Sequence, residues 1–129
     1  MIPGQTRPFV EKMIQAEHKL SPDALARQPK PAKIVDVKDT MSLTDDTVEI
    51  NLYNIPNPHA DGMLIGHVVG PNLVWVTDLI SPRGPIARSP NTVAVGDALR
   101  KTGINGSTIV GGHGTTAKQE EIGAALAAN

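Results

Sequence analysis

The sequence predicts an α/β (α+β) fold: one mixed sheet with helices on one face. Three observations carry that expectation. Apolar residues recur at helical spacing near both ends of the 129-residue chain, while its middle alternates at period two. The 12 glycines and 11 prolines fall between these stretches as punctuation and form no run of their own. The order of these patterns, helix, several strands, helix, strand, helix, is that of a sheet with helices on one side.

Taken in order, residues 8–20 read as an amphipathic helix with Phe9, Met13, Ala16 and Leu20 on one face. Ser21-Pro22-Asp23 ends it and opens a short turn, with Ser21 as N-cap and Pro22 at the first helical position. Gln28-Pro29-Lys30-Pro31 is an extended connector, because each proline removes a donor and pushes its predecessor out of helical space. Strands are expected over 34–37 and 41–43, with a turn at 44–46. The clearest strand is 47–53, in which Val48, Ile50 and Leu52 point one way and Thr47, Glu49 and Asn51 the other. A Pro- and Asn-rich loop over 54–61 precedes a strand at 63–69, a tight turn at 70–72 and an apolar strand at 73–80. The last of these reads as a covered central strand, since polar alternation is missing until its end. Ser89 and Pro90 open a helix that runs to Thr102 and stops at Gly103. Residues 107–110 form a buried strand leading into Gly111-Gly112-His113-Gly114. A final helix follows, with Thr116 and Gln119 at capping-box spacing.

Twelve basic against thirteen acidic residues leave a net charge of −1, which lacks the broad positive field of a nucleic-acid or membrane-surface binder. Cysteine is absent, which excludes disulfides, thiolate nucleophiles and Cys-zinc sites. No apolar run approaches a membrane span and the first residues lack a leader layout, so the expectation is a cytoplasmic protein. Only Phe9, Tyr53 and Trp75 supply aromatic bulk. So thin a core favours oligomerisation.

Three polar residues sit where strands end: His59 before the strand at 63–69, Asp78 near the end of the apolar run, and His113 after the strand at 107–110. A sheet fixes such positions while the adjoining loops leave room for a ligand. Imidazole and carboxylate are also the ligands of a hydrolytic zinc, iron or manganese centre. Each residue has a plainer reading as well: His59 as a loop residue among prolines, Asp78 as a turn cap, His113 as part of a tight glycine turn. Gly111 to Thr116 also has the look of a phosphate cradle, without a Walker lysine. His67 falls on the face of Ile65 and reads as a structural or interface residue; His18 reads as solvated, as do Arg83 and Arg88, whose other reading is anion binding.

In order and spacing these motifs resemble the second half of the metallo-β-lactamase superfamily fold. The matching elements are Pro58-His59-Ala60-Asp61-Gly62, the strand pair 63–69 and 73–77, Thr77-Asp78-Leu79 nineteen residues after His59, and Gly112-His113-Gly114. The resemblance implies half of an αββα sandwich. His59 would ligate a first metal, Asp78 bridge two metals and His113 ligate the second, with zinc or another divalent ion polarising a carbonyl or phosphoryl group. The family's first half contributes a His-x-His-x-Asp-His loop, which nothing in this sequence matches. Thr77 stands where the family usually has Gly, and Ala60 where it has Thr. The expectation is therefore a truncated hydrolase half-domain, with a catalytic site incomplete in one chain and metal weakly held or absent. The alternative is a non-catalytic binding or structural remnant acting as a homo-oligomer. A half-fold leaves one sheet face uncovered, which implies a homodimer through that face or a complementary N-terminal half chain. Neither nucleic acid nor membrane is expected as a partner.

Overall fold

The computed structural model describes residues 1–128. A two-strand parallel ribbon, β1 (Ile2–Pro3) with β2 (Asp36–Val37), flanks α1 (Arg7–Ile14) and α2 (Ala24–Arg27). Six strands then form one mixed sheet in chain order: β3 (Thr40–Thr44), β4 (Glu49–Ile55), β5 (Met63–Val68), β6 (Leu73–Trp75), β7 (Thr108–Val110) and β8 (Thr116–Lys118). Every neighbouring pair is antiparallel except β6–β7, which is parallel and joined through α3 (Pro90–Thr102). A last helix, α4 (Gln119–Ala127), follows β8. The α+β class with helices and a mixed sheet is as the sequence predicts. Among the described residues no helix is long and apolar enough to cross a membrane.

Cross-strand register sorts the sheet into two faces. One bears Val74, Ile109 and Ala117 in a single row with Ile65 and Val76 nearby, all at most 5 % exposed. The helices α3 and α4 cover this face through Val95, Ala98, Leu99 and Ile122, and together these residues form the core. Local chemistry places α3 well: Ser89 Oγ accepts from the Thr92 amide, Pro90 occupies the first turn, and Gly103 closes the helix at φ +71°. The other face carries two rows. Leu43, Ile50, Val68, Leu73, Thr108 and Lys118 are aligned in one; Met41, Leu52, Gly66, Trp75, Val110 and Thr116 in the next. No helix covers these rows, and Trp75 is 53 % exposed.

The apolar run at 73–80 is therefore not one strand covered on both sides. Pairing ends at Trp75, a 3₁₀ turn takes Thr77–Leu79, and only the Val74 and Val76 side is sealed. Charged substitutions at Val74 or Val76 would strike the helix-covered core and not the open face.

The first helix is shorter than its periodicity predicts, ending at Ile14, with His18 at φ +46° beyond it. The predicted apolar face is turned outward, with Phe9 70 % exposed and Leu20 fully so, while Val10 and Ile14 are the half-buried side. The second helix opens two residues later than expected, because the Asp23 carboxylate, and not Ser21, accepts from the Ala26 amide. Arg7 anchors this region, pairing with Asp36 at 2.8 Å and Glu11 at 3.1 Å. Those two carboxylates, Asp36 foremost, raise its guanidinium above the ordinary arginine value. The strand expected at 34–37 keeps only Asp36–Val37, paired with the unforeseen β1. Gln5 and Asn54 exchange side-chain hydrogen bonds, so the N-terminal strap crosses the Asn54 end of the open face.

Thr116 lies in β8 and caps no helix; the start of α4 is closed by Glu121, whose carboxylate accepts from the Lys118 amide at 2.7 Å. At the β3–β4 turn, the Asp45 carboxylate accepts from the Thr47 and Val48 amides and the Thr47 hydroxyl. These bonds hold its pKa below the usual aspartate value.

Candidate functional site

Asp78 and His113 meet at the sheet edge where the parallel strands β6 and β7 end. Ladder pairing continues one bond past β6, as the Val76 amide donates to the Val110 carbonyl at 2.9 Å. The chain then turns abruptly at Thr77, whose φ is +52°. A β-branched residue is strained in that left-handed region, where glycine is at ease. Surrounding contacts hold it there. The Gly112 amide donates to the Thr77 carbonyl at 2.6 Å, and Thr77 Oγ1 lies 2.8 Å from Met63 Sδ. Leu79 and Ile80, both buried, anchor the far side of the turn and leave Asp78 pointing to solvent.

The glycine run after β7 lets the second loop lie against the first. A Cβ on Gly112 would stand 2.6 Å from Asp78 Oδ1, and one on Gly111 would run into the Ile80 carbonyl oxygen and Pro82. Gly114 adopts φ +87° with the Pro82 carbonyl against it, while the Thr115 amide donates to that carbonyl at 2.8 Å. These glycines serve close backbone approach. The result is that His113 Nε2 lies 3.4 Å from Asp78 Oδ1, with the two side chains 66 and 52 % exposed.

His59 projects from the loop between β4 and β5, and thus from the same end of the sheet. Asn57 builds that loop: its Oδ1 accepts from the His59 and Ala60 amides, and its Nδ2 donates to the Ile55 carbonyl. The backbone of His59 is held, and its side chain is exposed. Among the described residues no group of three or more His, Asp or Glu side chains is placed to hold a metal ion. Two of the three sequence-predicted ligands come together; His59 does not join them in a common cluster.

The remaining candidates find ordinary roles. His67 Nε2 lies 3.0 Å from Asn72 Oδ1 and steadies the β5–β6 turn, as its structural reading expects. His18 Nε2 reaches the Met13 carbonyl, and Arg88 donates to the Leu126 carbonyl, tying α4 to the loop before α3. Thr77 and Met63 are the site's support that the sequence did not reveal. A threonine immediately before a strand-end aspartate was the available signal for the first; nothing local marks the second.

No family model matches the chain, and no curated protein matches it.

Proposed function

We propose that this chain is half of a metallo-β-lactamase-like, metal-dependent hydrolase of the cytoplasm. In this reading Asp78, His113 and His59 are its share of a divalent-metal centre, with zinc the first choice. The remaining ligands come from a second layer packed against the open sheet face. One observation carries the reading: the 3.4 Å between His113 Nε2 and Asp78 Oδ1. Zinc takes nitrogen at about 2.0–2.1 Å and carboxylate oxygen at about 2.0–2.2 Å, and two such ligands at the tetrahedral angle stand about 3.4 Å apart. Imidazole and carboxylate suit zinc, manganese or iron. Bound there, the ion supplies a Lewis acid that polarises a carbonyl or phosphoryl oxygen. Asp78 and His113 bind it, and the Thr77 turn with the glycine loop fixes their spacing. Two side chains fall short of the three protein ligands a catalytic zinc ordinarily has, so the chain alone holds metal loosely and does not turn over substrate.

The exposure of both side chains favours a second reading, a non-catalytic binding or structural protein of the same fold. One experiment separates the readings. Chain purified without a histidine tag is titrated with Zn²⁺ beside Asp78→Ala, His113→Ala, His59→Ala and His18→Ala, and assayed on lactam, thioester and phosphodiester substrates. Weak zinc binding that Asp78→Ala and His113→Ala abolish and His18→Ala leaves intact supports the metal centre. Zinc binding indifferent to Asp78 and His113 defeats it. Two tightly held ions per chain at neutral pH defeat the incompleteness.

A further inference from the structure

The most extensive unused feature of the molecule is the open sheet face. Its two aligned rows present Met41, Leu43, Ile50, Leu52, Val68, Leu73, Trp75 and Val110, interrupted by Gly66 in β5, Thr108 in β7 and Thr116 and Lys118 in β8. The chain exposes 8474 Å² of surface. A folded monomer of 13.6 kDa is expected to expose about 6,600 Å². Part of the surplus belongs to residues 15–33, which are exposed except at Leu25 and Ala26. A stable interface buries roughly 800 Å² on each partner.

From this we infer that the open face binds a second copy of the same chain, about a two-fold axis running along the strands. The two sheets then pack face to face about 10 Å apart as a β-sandwich between outer helices. Charge selects the axis. Lys118 lies in the Leu43 row, and its ammonium donates to Thr108 Oγ1 at 3.1 Å. Rotation about an axis along the strands keeps each row level and exchanges the sheet's edges. Lys118 of one copy is thereby laid over the other copy's β3 edge, beside the turn that carries Asp45 and Asp46. Asp45 is engaged within its own turn, while Asp46 has no ion pair among the described residues. The contact forms twice by symmetry. An axis across the strands would instead bring the two β8 edges, and both Lys118 ammonium groups, together.

The chosen axis has a consequence for the site. It preserves strand direction, so the loops bearing His59, Asp78 and His113 in both copies emerge at one end of the sandwich. This last step rests on the metal reading; the interface itself does not.

Sedimentation equilibrium of metal-free protein at micromolar concentration tests the interface without reference to zinc. The expected result is a species of twice 13.6 kDa. Trp75→Lys is expected to give a monomer that retains the far-ultraviolet dichroism of the parent. Should Trp75→Lys unfold, the charge pair decides the matter: Lys118→Glu weakens the dimer about tenfold through two lost ion pairs, and adding Asp46→Lys restores it. A monomer at these concentrations overturns the inference, whatever other chain then proves to occupy the face. So does a dimer indifferent both to Trp75→Lys and to the Lys118 exchange.

Discussion

Gly111→Ala places a methyl group against backbone that has no room to move. Its Cβ meets the Ile80 carbonyl oxygen, with Pro82 Cδ at 2.9 Å and the His113 carbonyl at 3.0 Å. Relief requires the two loops to separate, which stretches or breaks the Gly112–Thr77 and Thr115–Pro82 hydrogen bonds. Each such bond contributes about 0.5–1.5 kcal/mol, and over-packing costs about 1–3 kcal/mol. Reduced freedom of the unfolded chain returns about 0.4–1 kcal/mol. The net expectation is a loss of about 2–4 kcal/mol. For a domain of this length that lowers Tm by about 8–16 °C. Gly123→Ala, within α4, is the matched control: nothing lies within 4 Å of its added Cβ, so relief of helical glycine gains about 0.5–1 kcal/mol. Thermal unfolding followed by circular dichroism reads both variants. A Gly111→Ala protein that melts with the parent would refute the view that close backbone approach assembles the Asp78–His113 pair.

Two further outcomes follow from burial and charge. Ile109→Ala, at a position wholly inside the core, should cost about 2–5 kcal/mol in urea unfolding, whereas Phe9→Ala, 70 % exposed, should change stability by less than about 0.5 kcal/mol. Asp45 has its pKa depressed in the folded state, so its stabilising share is complete above the unfolded value, about 3.9, and fades as pH falls through the lower folded one. The protection of the Val48 amide, its exchange rate relative to the intrinsic rate at the same pH, should fall on acidification below about pH 4, and in Asp45→Ala it should be low already at neutral pH; equal protection in the two proteins at pH 7 would contradict the assignment.

What the sequence disclosed depended on whether the deciding interaction was local. Ser89, Pro90 and Gly103 announce α3 because capping and chain reversal act within a few residues. Strand β4 is readable because alternation accumulates over seven positions. The two-residue β1 and three-residue β8 offer no such accumulation; β1 exists because a distant strand lends it a ladder, and β8 because the glycine loop folds it back on β7. Phe9 and Met13 have helical spacing without a surface to bury them, so periodicity overstates their role. The Leu73–Ile80 run misleads for a different reason: composition reports hydrophobicity on both faces but not which face the helices take. Strand-end position found Asp78 and His113. The left-handed Thr77 and its Met63 support were invisible, since both depend on tertiary contact.

The topology also orders events in time. Strands β3 to β6 form a continuous meander, and β7–β8 a hairpin, so each group pairs through short loops that close cheaply. Within this sheet the β6–β7 ladder must wait for a long connection, including all of α3, to fold back. Pairing between sequence-distant strands is the slow step of such folds. Asp78 hangs from one side of this seam and His113 from the other. Their proximity is accordingly a late product of folding and, in local opening of the native state, an early loss.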